Sequence, residues 1–278
     1  QALVARLLAE EFPRDPLVAE ESTDSFKCPE GDRILQTVTH FVKKSFPEAA
    51  TNSVAEWIDR GAANPCERFW TMDPIDGTKG FLRGEQYAIA LALIEKGIVK
   101  VGILACPNLK EGRSPDIRGE GTLAVGVRGH GSWYTSLKKP GEFRSLKVST
   151  HKQPSEAVFL RSFESRHTDQ SRIEQVMKKL GTRAEPIFMD SLAKYVVLAS
   201  GGADLLARLP STPKPQHREY IWDQAPGAII VEEAGGRVTD FEGENLNYLA
   251  GRKLTASRGI LVSNTHLHAA ALEALKEI

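Results

Sequence analysis

The chain has 278 residues, of which 41% are hydrophobic, enough for a substantial core and for two lobes. Lysine plus arginine number 36 and aspartate plus glutamate number 36, so the formal net charge is zero. That balance argues against a nucleic-acid polymer as partner, and it leaves recognition of any anionic small molecule to local groups. Cys28, Cys66 and Cys106 are odd in number, widely spaced and without a CxxC pair, which fits a reducing, cytoplasmic setting better than a disulfide scaffold or a zinc site. No apolar run approaches the ~20 residues needed to span a bilayer, so no membrane partner is expected.

In chain order, Leu3, Val4, Leu7 and Leu8 place the opening residues in a helix. The chain starts at Gln1 inside this pattern, and further residues before it are expected. Ile34, Leu35, Val38, Phe41 and Val42 recur at helical spacing, with Asp32 as the expected N-cap. Val54–Asp59 reads as a shorter helix closed by a left-handed Gly61. Strands follow at Phe69–Met72, Tyr87–Ile94 and Ile98–Ala105, the last two joined by a turn at Lys96-Gly97, then at Thr122–Val127 and Gly131–Tyr134. The first half thus reads as helices on a largely antiparallel sheet.

From about residue 155 strands and helices alternate. Val158–Leu160, Ile187–Met189, Leu205–Leu209, Arg237–Thr239 and Ile260–Val262 read as strands. Helices are expected around Ile173–Leu180 with Gly181 as its stop, over Leu192–Ser200, over Ala225–Ala234 and over His266–Ile278, where His266 and His268 fall on the polar side. Such alternation implies a sheet covered on both faces. Lys110–Gly121 and Ser211–Glu219 read as exposed loops.

The residues richest in chemistry are Asp73-Pro74-Ile75-Asp76-Gly77-Thr78. An apolar strand delivers Asp73 to its end, and Pro74 has no N–H for the ladder. Asp76 follows within the turn, and Gly77 allows backbone, with the Gly77 and Thr78 amides, to approach an anion. Converging carboxylates beside such a turn suit a hard divalent cation. An Asp-rich turn held by Asx hydrogen bonds has the same spacing, and spacing alone leaves both readings open. Glu20, after the apolar Leu17-Val18-Ala19, reads as a second strand-end acid, and a solvated Glu20-Glu21 pair is the alternative. Asp223 precedes the Ala225 helix, where an N-cap is the plain alternative.

Taken together these motifs are specific. Glu20-Glu21-Ser22, Asp73-Pro-Ile-Asp76-Gly-Thr78, and Trp222-Asp223 followed by Glu233-Ala-Gly-Gly236 resemble, in order and spacing, the lithium-sensitive, magnesium-dependent phosphatases that include inositol monophosphatase and the 3′(2′),5′-bisphosphate nucleotidases. The resemblance covers the whole chain. It implies a mixed α/β (α+β) fold, a layered α-β-α-β-α sandwich, with an α+β lobe over 1–154 and an α/β lobe over 155–278. It also implies two to three Mg²⁺ ions. Glu20, Asp73 and the Ile75 carbonyl would hold one; Asp73, Asp76 and Asp223 a second; Glu20 would assist a third. Hard oxygen donors of this kind suit Mg²⁺ and not zinc. In the family the Thr78 hydroxyl works with an N-terminal aspartate, for which this chain shows no match.

The segments Lys79-Gly-Phe-Leu-Arg-Gly84, Asp190-Ser-Leu-Ala-Lys-Tyr195 and Asp204-Leu-Leu-Ala-Arg208 resemble the nucleotidase branch. By that resemblance Ser191, Lys194 and Arg208 contact the nucleotide, the two cations near its 5′-phosphate, and His167 lies against the adenine. Without it, Lys194 and Arg208 would be read as surface cations. Gln224 and Pro226 depart from the His and Ala common in that branch, which leaves leaving-group contacts open. The implied activity is removal of the 3′-phosphate from adenosine 3′,5′-bisphosphate, giving AMP, and from its sulfated relative. An inositol or sugar phosphate phosphatase and a non-catalytic nucleotide sensor are the alternatives.

Overall fold

Alternate residues of strand β2 (Arg68–Asp76) face two different layers, and this period-two division organises the molecule. Trp70 and Met72 pack with Ala5 and Leu8 of helix α1 (Ala2–Glu11), while Phe69 joins the larger core on the opposite face. Strand β3 (Ala88–Glu95) repeats the division, with Ala90, Ala92 and Ile94 on one side and Leu91 and Leu93 on the other. The computed structural model describes residues 1–117, 119–163, 169–209 and 218–277.

The first sheet runs β1-β2-β3-β4-β7-β8-β9. Its remaining strands are β1 (Leu17–Ala19), β4 (Ile98–Cys106), β7 (Thr122–Val127), β8 (Gly131–Ser136) and β9 (Arg144–Ser145); β5 (Leu109–Lys110) and β6 (Ser114–Pro115) form a separate small hairpin. Only the β1–β2 pair is parallel in this sheet. Helices α2 (Gly31–Val42) and α3 (Thr51–Asp59) stack beside α1, and a five-residue helix α4 (Thr78–Leu82) follows β2.

The second sheet runs β11-β10-β12-β14-β13, with β10 (Phe159–Arg161), β11 (Ile187–Phe188), β12 (Leu205–Arg208), β13 (Arg237–Thr239) and β14 (Ile260–Ser263). The pairs β10–β11 and β10–β12 are parallel, and those of β14 are antiparallel. Phe159, Leu205, Ala207 and Leu261 face helices α5 (Gln170–Leu180) and α8 (His268–Lys276). Leu160, Leu206, Ile260 and Val262 face the opposite side, toward α6 (Ala193–Ala199) and α7 (Ala225–Glu233).

Helices α6 and α7 fill the space between the two sheets, completing an α-β-α-β-α stack. Ala225 to Val231 are all buried, as expected of a helix enclosed on every side. Gly102 on β4 makes this contact possible: a Cβ there would meet Ile229 Cγ2 at 2.3 Å and Pro226 O at 2.6 Å.

Several local expectations are corrected. Asp32 is not the N-cap: α2 begins at Gly31 and Asp32 sits in its first turn. Gly61 is not left-handed, since α3 ends on a right-handed Arg60. Gly61 is instead a point of close approach, where a Cβ would meet the Gln1 side chain at 2.3 Å and Ala19 Cβ at 2.9 Å. The β5–β6 hairpin occupies part of the segment read as a loop. His268 is 2% exposed, not on a polar face, because its ring meets Thr239 Oγ1 at 2.9 Å and Ser263 Oγ at 2.8 Å. Among the described residues no helix is long and apolar enough to cross a membrane, and the three cysteines are unpaired.

Candidate active site

The acidic residues meet because of strand register. In the parallel β1–β2 pair Ala19 lies opposite Met72, so the next residue along each strand is Glu20 and Asp73. The Glu20 amide donates to Met72 O at 3.2 Å and ties the two strand ends together. On the other side of β2, Asp73 pairs with Ala90 and Asp76 with Ala88, three steps against two. The extra residue is a bulge. In a regular strand Asp73 and Asp76 would point to opposite faces; the bulge turns both toward one cleft. Pro74 therefore does not end the strand, as its sequence suggested, but sits within this irregularity.

Each carboxylate is also oriented individually. Asp73 Oδ1 accepts the Ile75 amide at 2.9 Å, which is the Asx turn that the spacing allowed. Asp76 Oδ2 accepts the Leu192 amide, linking the first motif to the entrance of α6. Asp223 lies two residues before α7, in a turn whose cap is Gln224. Carboxylate oxygens of Asp73, Asp76 and Asp223 lie within 4.8 Å of one another. The Asx turn and the convergence coexist: one oxygen satisfies the local turn, and the group as a whole still faces its partners.

The electrostatics of this cluster fit a bound cation. Burial and then the neighbouring charges of Asp76 and Glu20 push the Asp73 carboxyl up to about 10. Asp76 is raised by burial against the opposing pull of Arg208 and Lys194. Burial and Glu219 hold Asp223 well above the ordinary carboxylate range, and Glu20 is raised by burial as well. Like charges taken from water and forced together destabilise the ionised state, and a divalent cation removes that cost. Carboxylate and carbonyl oxygens are the donor set of a hard metal ion.

The opposite wall is basic. Lys194 is 4% exposed, and its Nζ donates to Met189 O at 3.1 Å. Burial, followed by the nearby Arg208 charge, lowers it to about 8. Burial works against the Arg208 charge too, but Glu219 and Asp223 outweigh it and raise its pKa above the usual arginine value. Helix α6 starts at Ala193, one residue later than the expected Leu192, and Ser191 precedes it with φ +68°. Its Oγ accepts the Ala193 amide at 3.1 Å. A non-glycine residue in this left-handed region marks a backbone held by its surroundings.

Glu20, Asp73, Ile75, Asp76, Gly77, Thr78, Ser191, Lys194, Arg208 and Asp223 all line one cleft of about 230 Å³. Thr78 Oγ1 donates to the Ile75 carbonyl at 3.3 Å. His167 lies outside the described residues. Gln224 is fully buried and turned away from the cleft, toward Tyr195 and Glu219, while Pro226 sits in the first turn of α7 without breaking it. Sequence reasoning had assigned no role to Asp190, which lines the cleft, accepts from Arg83 and receives the Phe163 amide at 3.2 Å. It also passed over Glu219, which accepts from Arg208 at 2.9 Å. Both acids look like solvated surface residues in the sequence; only the fold reveals their partners.

Comparison with known proteins agrees with this geometry. The model of the inositol monophosphatase family matches residues 1–278. A 3′(2′),5′-bisphosphate nucleotidase of Oryza sativa is 37% identical, with 100% of this chain and 81% of that protein covered. One of Dictyostelium discoideum is 36% identical, covering 100% of this chain and 83% of that protein. Among solved structures, an IMPase of Thermotoga maritima superposes with a TM-score of 0.63 at 23% identity, over 99% of this chain and 79% of the other, a likeness of fold. Motif order, layer architecture and full-length similarity converge, and the chain belongs to the inositol monophosphatase family.

Proposed function

We propose that this protein is a metal-dependent 3′(2′),5′-bisphosphate nucleotidase that hydrolyses the 3′-phosphate of adenosine 3′,5′-bisphosphate, releasing AMP and inorganic phosphate, and that Mg²⁺ is its metal. The observation that carries this reading is the pairing within one cleft of an acidic cluster with two cations, the buried Lys194 and the half-buried Arg208. A substrate with one phosphate engages only the acidic wall. A substrate with two anions uses both walls at once. The full-length similarity to nucleotidases from rice and Dictyostelium supports the same choice.

In this reading Glu20, Asp73 and the Ile75 carbonyl would hold one ion, Asp73, Asp76 and Asp223 a second, and Glu20 would assist a third. Bound there, the metal neutralises phosphoryl charge and makes water a better nucleophile at neutral pH. The protein's part is orientation. The Ile75 and Leu192 amides fix the Asp73 and Asp76 carboxylates before substrate arrives. Gly77 and Thr78 present backbone amides to the phosphoryl oxygens. The Thr78 hydroxyl is too weak a base to act alone, and it serves to orient the attacking water. Ser191, Lys194 and Arg208 hold the 5′-phosphate, so that the 3′-phosphate is presented to the acidic wall. Water adds to phosphorus, the P–O3′ bond breaks, and the ribose 3′-oxygen takes up a proton. His167 is assigned to the adenine.

The test is phosphate release from adenosine 3′,5′-bisphosphate and from inositol 1-phosphate in Mg²⁺, with and without millimolar lithium. Faster, lithium-suppressed turnover of the nucleotide is expected. Faster turnover of inositol 1-phosphate would overturn the substrate assignment and leave the metal site standing. Tight nucleotide binding without phosphate release would make the protein a sensor.

A further inference from the structure

Behind the basic wall lies a chain of buried polar groups that the reaction itself does not use. Tyr195 Oη donates to Gln224 Oε1, Gln224 Nε2 donates to Glu219 Oε2 at 3.4 Å, and Glu219 Oε2 accepts from Arg208 Nη2 at 2.9 Å. Tyr195 and Gln224 are both 0% exposed and Glu219 is 9% exposed. Arg208 alone of the four reaches the cleft.

The direction of these bonds is dictated by chemistry. A guanidinium only donates and a carboxylate only accepts. Gln224 must therefore turn its NH₂ toward Glu219, its carbonyl must face Tyr195, and the Tyr195 hydroxyl must donate. Each group has one permitted orientation, and the chain ends in a rigid part of the core, because Tyr195 sits in α6 against α7. A Cβ on Gly227 would meet the Tyr195 ring at 2.3 Å, which leaves that ring no room to shift. An arginine side chain otherwise has about 2 kcal/mol of rotamer freedom to lose on binding an anion.

We infer that Glu219, locked in place by Gln224 and Tyr195, is the positioning residue that aims Arg208 at the substrate anion remote from the reacting phosphate. Glu219 does not line the cleft; its charge also bears on Asp223, and its ion-pair partner at the cleft is Arg208. Gln224 supplies the link, which explains why the residue directly after Asp223 faces inward and not toward the leaving group. The inference rests on the nucleotidase reading, since the anion concerned is the 5′-phosphate.

The experiment compares adenosine 3′,5′-bisphosphate with adenosine 3′-phosphate, which lacks that anion, in Mg²⁺. Glu219→Gln is expected to raise KM for the bisphosphate by about tenfold, the cost of a misaligned charge-assisted bond, with kcat within about threefold. KM for adenosine 3′-phosphate is expected to change by less than about twofold. Gln224→Leu keeps every charge and should show the same selectivity at about half the logarithmic size; Gln224→His, which retains one donor and one acceptor, should restore it. In an Arg208→Gln background, Glu219→Gln should add nothing. Equal losses on both substrates, or a full additional loss in the Arg208→Gln background, overturns the inference while leaving the nucleotidase reading intact. A wild-type protein that does not hydrolyse the bisphosphate overturns that reading and this inference with it.

Discussion

Gly77 and Ser191, 114 positions apart in the chain, are in direct contact: a Cβ added to Gly77 would lie 2.7 Å from Ser191 Cβ. Both have left-handed backbones, Gly77 at φ +82° and Ser191 at φ +68°. The loop that follows the acidic motif and the loop that leads to Lys194 are thereby wedged together, which sets the spacing between the acidic and basic walls. Gly77→Ala combines a left-handed penalty of about 1 kcal/mol with this overlap. We expect a drop of a few degrees in Tm and a loss of about 100-fold in kcat/KM, because the two walls can no longer keep their separation. Calorimetry and steady-state kinetics on the same preparation check it; unchanged kinetics would show that the contact does not set the site.

Asp73 belongs to both proposed ion sites and has an oxygen already committed to the Ile75 amide. Asp73→Asn should lower turnover by at least about 1,000-fold, since charge stabilisation by the ion is among the larger contributions to phosphoryl transfer. The rise in Tm that Mg²⁺ produces in the wild type should shrink as well. Wild-type turnover in this variant would refute the ligand assignment.

Lys194 is buried and its ammonium is held by Met189 O. Lys194→Met keeps the apolar stem and removes the charge. KM for adenosine 3′,5′-bisphosphate should rise about 10- to 100-fold, corresponding to a charged hydrogen bond of about 1.5–3 kcal/mol. Adenosine 3′-phosphate should be affected far less. An equal effect on both nucleotides would remove Lys194 from the 5′-phosphate.

His268 lies far from this chemistry and gives a pH test of the fold. Thr239 Oγ1 donates to Asp240 O, so His268 Nε2 must donate to Thr239, and Nδ1 accepts from Ser263. That arrangement needs the neutral ring. Burial, and then Arg237, lower its pKa from 6.5 to about 4. Between those values the unfolded chain binds the extra proton, so the stabilisation is present above pH 6.5 and is lost as pH falls toward 4. The cost from pH 7 to pH 5 is about 2 kcal/mol. Urea unfolding should show this part of the acid sensitivity disappearing in His268→Asn; an unchanged slope would mean that His268 does not titrate between these limits.

Much of this was legible before any fold was known. The apolar runs in Tyr87–Ile94 and Ile98–Ala105 mark strands, and the apolar Ala225–Val231 run marks an enclosed helix. Those signals are local. The motif residues were equally visible, since Asp73, Asp76 and Gly77 are neighbours in the chain. The burial of Lys194 and His268 was not. A lysine or a histidine on a helix reads as polar, and whether water or another layer lies beside it depends on packing between segments far apart.

By itself, then, the sequence determined which residues are chemically able to bind a cation and an anion, and the order of the elements that carry them. Tertiary structure alone decided that they face one another. The β2 bulge turns Asp73 and Asp76 to the same side, the β1–β2 register brings Glu20 beside them, and the Gly77–Ser191 contact sets the basic wall opposite. The inward-facing Gln224–Glu219–Arg208 chain belongs to the same category. Each is a relation between side chains held by different segments, and its energy exists only once those segments share a dry interior, where unpaired charges and polar groups are costly enough to select one arrangement.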